Sequence, residues 1–439
     1  MDILQQLFSK NAIETLQNIL LCLDRKTLHE ARTVSKKWNE IICDLVWNSK
    51  KGRAVLKERR ILKWKKDPTK VMSYDYSDQM IIYQNPWDAV AKSFDVDEKI
   101  LVCGLSPEAG GGAKVIDVES RAIIATLDHQ KGSGEEKKFP VTEVVLTKNW
   151  IVTTTETRVY AWRRDNYKLA KAIVIDRRGI VNINLSATES KNHLFITCNV
   201  FRDPHPTGGI YYIVHRISPI DNQVTVETIP KRSSYGDETT LTNGMLVVRQ
   251  NPGLKSSLIV TTYNLEVSGL SMFKLSSEHD LDTFTCASQV RGCVSYPYFV
   301  HPEKDEDYYE DEFDEPIRTL NMEFVSIWNL DTGEMVKRLQ FDLKRDGYLR
   351  GVMLKNDILA IRFKEFEYYG GGDVKFYIYD INNKDKDSES LSHSPINMID
   401  RGREEAEETP DGLDAHTFKM NNFSIIEKIE NSFVYIDFC

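Results

Sequence analysis

The 439-residue chain has no C-x-x-C pair, and its seven cysteines (22, 43, 103, 198, 286, 293 and 439) are odd in number and scattered. That pattern argues against a disulfide framework and against a zinc ribbon, and it predicts a reducing compartment, cytoplasmic or nuclear. No apolar run reaches the roughly 18 residues that a membrane-spanning helix needs, so no membrane partner is expected. Asp2 and the lack of a basic flank before an apolar core predict no secretory signal. The nine histidines are dispersed, with no H-E-x-x-H and no close pair of metal-ligand spacing. G-x-S-x-G is missing. Gly110–Gly112 and Gly370–Gly372 are not followed by Lys-Ser/Thr or by a helical pattern, so they read as turns rather than phosphate cradles. No catalytic residue, metal or cofactor is expected, and the chain is not read as an enzyme.

What is present is unevenly charged. The formal net charge is −9, yet residues 1–70 hold 16 Lys/Arg against 8 Asp/Glu. Two regions with different surroundings follow. The acidic remainder lacks the clustered positive charge that tracking phosphates requires, so no nucleic-acid partner is expected.

Residues 11–47 carry helical periodicity. Asn11 and Glu14 have capping-box spacing. Ile13, Leu16, Ile19, Leu20 and Leu23 then recur at three- and four-residue steps. Asp24 is placed to cap a second helix, in which Leu28, Ala31, Val34, Trp38, Ile41 and Leu45 repeat the stripe. A hairpin this short cannot hide both stripes within itself, since helical folds below about 40 residues usually need outside help. Either the following domain or a partner helix must cover them.

The run Glu14-Thr15-Leu16-Gln17-Asn18-Ile19-Leu20, then Leu23-Asp24, Leu28, Ala31-Arg32, Val34-Ser35-Lys36, Trp38 and Ile41-Ile42, resembles the F-box family. It departs at the start, where Asn11-Ala12 stand in place of the family's Leu-Pro. The resemblance implies that Leu16, Ile19, Leu20, Leu23, Leu28, Val34, Ser35 and Trp38 form the adaptor-binding head. The implied partners are a Skp-type adaptor and, through it, a cullin. Residues 1–50 are thus read as the F-box-like domain. The basic stretch 51–70 is read as a linker helix, with a nuclear-import signal or phosphate-binding patch as the other reading, and Asp67-Pro68 ends it.

Beyond residue 70 short Val/Ile/Tyr/Thr runs alternate with Gly, Asn and Asp punctuation. Paired strands recur: 99–103 with 115–118, 150–153 with 159–162, 194–197 with 211–214, 245–248 with 258–260, and 357–361 with 376–381. Phe324–Leu330 enters an Asp-Thr-Gly turn and returns through Val336 to Leu339. Units of this length predict a β-propeller of about seven blades over 71–439. The copy at 324–341 resembles the WD-repeat family, without its Gly-His dipeptide. Phe433–Ile436 reads as a last strand that shares a blade with Val71–Tyr83 and closes the ring.

The fold class expected is therefore a small N-terminal helical F-box followed by a roughly seven-bladed β-propeller. Segments 104–112, 202–209, 301–317 and 364–373 are placed on one end of the propeller, together with 384–416 as a between-blade connection. Residues 382–416 are expected to be a disordered insertion. The acidic insertion 301–317 offers Glu303, Asp307, Tyr308, Tyr309, Asp311 and Phe313 as candidates for a target-binding clamp, with a solvated loop as the plainer reading. The function implied by the resemblance is substrate recognition in a Skp-cullin-F-box ubiquitin ligase, the target being an unidentified protein. The alternative is a β-propeller scaffold for protein–protein interaction outside the ubiquitin system.

Overall fold

The computed structural model of the protein describes residues 13–23, 25–47, 49, 51–52, 54–55, 70–75, 94–105, 111–118, 120, 122–129, 139–175, 185–198, 211–230, 238–250, 258–265, 273–281, 286–287, 292–305, 322–342, 348–355, 357–364, 372–382, 397–404, 418–421, 424–429 and 432–437. The chain divides into a helical head and a β-domain.

In the head, α1 (Ile13–Cys22), α2 (Arg25–Val34) and α3 (Lys36–Ile42) follow one another, and a π-helical turn over Cys43–Trp47 extends α3. The second helix expected from the stripe is thus two helices. Ser35 breaks it: at φ −162° and ψ 160° it leaves the helix, and its Oγ accepts from Trp38 N at 3.1 Å. A serine hydroxyl competes for backbone donors in this way, so it favours a cap over a helix interior. Asn11 and Asp24 lie outside the described residues. So does most of the basic stretch 51–70, of which residues 51–52 and 54–55 are helical.

The β-domain is a seven-bladed propeller of antiparallel sheets. Blade 1 is β2 (Phe94–Val96), β3 (Ile100–Gly104), β4 (Ala113–Asp117) and β5 (Ile123–Leu127). Blade 2 is β6 (Glu143–Leu146), β7 (Trp150–Thr154), β8 (Arg158–Arg163) and β9 (Leu169–Val174). Blade 3 is β10 (Leu185–Ser190), β11 (His193–Cys198), β12 (Tyr211–Ile217) and β13 (Val224–Pro230). Blade 4 is β14 (Glu238–Thr242), β15 (Met245–Gln250), β16 (Leu258–Leu265) and β17 (Phe273–Leu281). In blade 5 the first position is shared by β18 (Cys286–Ala287) and β19 (Cys293–Ser295), followed by β20 (Tyr298–Asp305), β21 (Met322–Asn329) and β22 (Met335–Asp342). Blade 6 is β23 (Tyr348–Lys355), β24 (Ile358–Lys364), β25 (Gly372–Asp380) and β26 (Asn397–Glu404). Blade 7 joins β27 (Phe418–Met420), β28 (Ser424–Ile429) and β29 (Ser432–Asp437) to β1 (Lys70–Asp75), which pairs with β29 and closes the ring with the chain's two ends.

Middle strands are covered on both faces by neighbouring blades, so they are rich in consecutive apolar residues. Every residue of β7 is buried, whereas none of outermost β9 is. Ile100, Val102 and Val115 of blade 1 pack with Ile151, Tyr160 and Trp162 of blade 2. Between blades 5 and 6 the seam is likewise apolar, from Val325 and Ile327 to Leu359, Ile361 and Phe363.

Polar groups tie the blades in sequence. The first strands are stapled side chain to backbone: Asp95 Oδ2 accepts from Leu146 N at 2.8 Å, Glu143 from Leu185 N, and Ser186 Oγ from Leu241 N at 2.7 Å. Asp97 pairs with Arg164 at 2.5 Å, and its carbonyl accepts from Asn421 Nδ2 at 3.0 Å. Burial alone would raise the Asp97 carboxyl, but Arg164 and the amides of Ile100 and Lys99 outweigh it and hold the group below its ordinary value. In blade 2, Trp162 Nε1 donates to Thr153 Oγ1 at 3.2 Å, and His129 Nε2 lies 2.8 Å from the same oxygen. The imidazole stacks on Tyr160 at 4.1 Å, which ties the connection entering blade 2 to that blade's middle strands.

Two expectations about the insertions need correction. Residues 397–404 are not disordered: they form β26, paired with β25. That strand splits the segment 382–416. In sequence, residues 383–396 thus connect the third and fourth strands, and only 405–417 connects two blades. An outermost strand needs no apolar alternation, so the polar composition concealed it. Residues 301–305 also belong to a strand, β20, so the acidic insertion begins after Asp305.

Candidate docking face on the helical head

The apolar stripes of the head divide into two sets. Leu16, Leu20 and Leu21 of α1, Leu28 of α2, Ile41 and Ile42 of α3, and Val46 of the π turn are buried and form its core. Ile13, Ile19 and Val34 are 40%, 47% and 68% exposed, three of the nine large hydrophobics left open among the described residues. Leu23 and Trp38 are half-buried, and Ser35 is exposed. Of the eight residues expected in the head, Leu16, Leu20 and Leu28 therefore hold it together. Ile19 and Val34 are open, Leu23 and Trp38 lie at the margin, and Ser35 sets the start of α3.

Polar bonds fix the geometry that presents the open residues. Gln17 Nε2 donates to Leu45 O and to Ser49 Oγ, both at 2.8 Å, tying α1 to the segment after α3. Arg32 Nε donates to Asn39 Oδ1 at 2.8 Å, bridging α2 and α3. Gly52 N donates to Ser49 Oγ at 2.9 Å, and a Cβ at Gly52 would stand 1.9 Å from Val46 O, so only glycine allows that approach. The stripe announced the core; nothing in it announced Gln17, Arg32 or Asn39, whose partners lie 7 to 32 residues away. Lys51 and Glu14 meet at 3.8 Å with both side chains largely in water, a contact of little weight.

Of the six candidates for an acidic clamp, only Glu303 falls among the described residues. Glu303 lies on β20, buried, and pairs with Arg338 at 3.0 Å, so it supports the blade instead of facing a target. Asp307, Tyr308, Tyr309, Asp311 and Phe313 lie outside the described residues. Among the described residues no group of three His, Cys, Asp or Glu could hold a metal ion, and no helix is long and apolar enough to cross a membrane.

The chain is thus a small helical module with exposed apolar side chains, followed by a seven-bladed propeller. Residues 13–50 match the F-box-like family model, so the head is an F-box-like domain, and the combination fits an F-box substrate receptor. No curated protein matches the chain. Among solved structures, the chain is similar to Hsv2 of Kluyveromyces lactis at 11% identity and a TM-score of 0.46, over 80% of this chain and 90% of that one. It is also similar to the WD40 domain of SCAP from fission yeast at 8% identity and a TM-score of 0.41, over 84% and 98%. The blade count comes from the strand pairing itself.

Proposed function

We propose that the protein is the substrate-recognition subunit of a Skp-cullin-F-box ubiquitin ligase. The head docks a Skp-type adaptor, which links it to a cullin, and the propeller, of WD-repeat type, holds a target protein. The exposed apolar side chains of the head, Ile13, Ile19 and Val34, carry this reading. A module with its own packed core leaves these side chains in water, and a partner that covers them gains the free energy of removing apolar surface. The protein then supplies geometry, raising the effective concentration of target lysines at a separate conjugating enzyme, and it acts in the cytoplasm or nucleus.

The test is co-purification of the full chain with a Skp-type adaptor. Ile19→Asp with Val34→Lys places charge at two of these exposed positions while sparing the core. Leu20→Asp is a poor probe, because Leu20 is buried and its loss would unfold the head. Binding by the wild type and its loss in the double variant, with the helical signal unchanged, supports the proposal. Equal adaptor binding by both proteins would overturn it.

A further inference from the structure

Blades 2 and 5 share a register. Ile151 faces Trp162 and Thr153 faces Tyr160 across β7 and β8, as Phe299 faces Trp328 and His301 faces Ser326 across β20 and β21. Both faces look back onto the preceding blade. Trp162 packs with Ile100 and Val102 of blade 1, and Trp328 with Val247 and Val260 of blade 4.

The residues at matching positions differ in a way that leaves polar atoms without partners. In blade 2 the Thr153 hydroxyl receives the Trp162 indole N–H. In blade 5 that position is His301, and the ring of Tyr160 is replaced by the small Ser326. Trp328 Nε1, His301 Nδ1 and Ser326 Oγ are all withdrawn from solvent, and none has a hydrogen-bond partner. Residues directly opposite in a sheet lie within about 5 Å at Cβ, and the diagonal neighbour is within reach of an aromatic side chain. Three polar groups buried without partners at neighbouring positions of one sheet face carry an uncompensated desolvation cost. Native proteins meet such sites with a water molecule making about three bonds.

We propose that one internal water is a built-in part of the seam between blades 4 and 5, bound by Trp328 Nε1, His301 Nδ1 and Ser326 Oγ in the place that the Thr153 hydroxyl takes in blade 2. The indole can only donate and the serine can do either, so a water accepting from one and donating to the histidine satisfies all three. Burial, aided by the charge of Arg249, pushes the His301 imidazole down to about 3, so it is neutral and keeps one nitrogen as an acceptor. Exchange of tyrosine for serine removes a six-membered ring, more volume than the imidazole adds over threonine, and a water needs about 30 Å³.

The test is a crystal structure of the full-length chain at a resolution that shows ordered water, with the thermal midpoints of two variants. One density peak at about 2.7–3.2 Å from all three atoms is expected. Direct bonding among the three side chains, or a dry site, would overturn the proposal. Ser326→Val expels the water and strands the other two groups, lowering the folding equilibrium constant about tenfold. The triple variant Ser326→Val, His301→Leu, Trp328→Phe recovers most of that loss. If Ser326→Val alone raises the midpoint, it has filled a dry void and the proposal fails.

Discussion

Between blades 6 and 7, Arg362 Nε meets Glu427 Oε1 at 2.8 Å with the two side chains 1% and 0% exposed. Arg362 shares a row with Phe376 and Glu427 with Phe418, and those rings meet edge to face at 5.2 Å. At an effective dielectric of about 20, opposite charges this close attract by about 6 kcal/mol. Removing each ion from water costs several kcal/mol, so the pair as a whole adds little net stability. Deleting one partner is different, because the attraction goes while the other ion's desolvation stays. Arg362→Met, which keeps the volume, is therefore expected to cost about 3–5 kcal/mol. Arg362→Met with Glu427→Leu is expected to recover most of it. Urea unfolding of the full chain and of the two single variants and the double variant, followed by near-ultraviolet circular dichroism, completes the double-mutant cycle. A loss below about 1 kcal/mol for Arg362→Met, or a double variant as unstable as the sum of the singles, would refute the reasoning.

Three further outcomes are expected. Ser35→Ala removes the oxygen that accepts from Trp38 N and should cost the head about 1 kcal/mol, read as a lower thermal midpoint of its helical signal. Gly333→Ala places a Cβ at φ +72° and 2.4 Å from His279 Nδ1, so it should lower the stability of the propeller by about 1–2 kcal/mol and displace His279 from Leu330 O. His301, held near 3 by burial against about 6.5 when unfolded, favours the fold in its neutral form. Its contribution is complete above pH 6.5 and falls by about 1.4 kcal/mol per unit below it, about 2 kcal/mol by pH 5. His301→Leu should flatten that part of the pH–stability profile, measured by denaturant titration from pH 7 to 5.

The parts of the fold that showed in the sequence are those whose burial imposes a period. Second and third strands of each blade lie between two neighbours, so β7 and β24 are buried almost throughout and their apolar runs Trp150–Val152 and Ile358–Ile361 stood out. Leu16, Leu20 and Leu28 face a core and recur at helical steps. What stayed hidden has no such constraint. β26 lies outermost and reads Asn-Met-Ile-Asp-Arg-Gly-Arg-Glu, indistinguishable by composition from a loop. Ser35 falls within a continuing stripe, and only its backbone angles reveal that the helix ends there. Glu303 looked like one charge among many, because its pairing with Arg338 depends on a partner 35 residues away. Periodicity also cannot separate stripe residues that face inward from those that face water. Ile19 and Leu20 are adjacent in sequence and lie on opposite sides of that boundary.

Because β1 completes the blade that β27, β28 and β29 begin, both ends of the propeller's chain are anchored in one sheet. A motor that grips the C-terminal end, or the N-terminal end once the head has yielded, therefore pulls on the same blade, at the edge where β1 pairs with β29. Cutting the head away after residue 75 would take the final stave out of the barrel-maker's hoop, leaving β29 bare-edged and ready to recruit a stray strand.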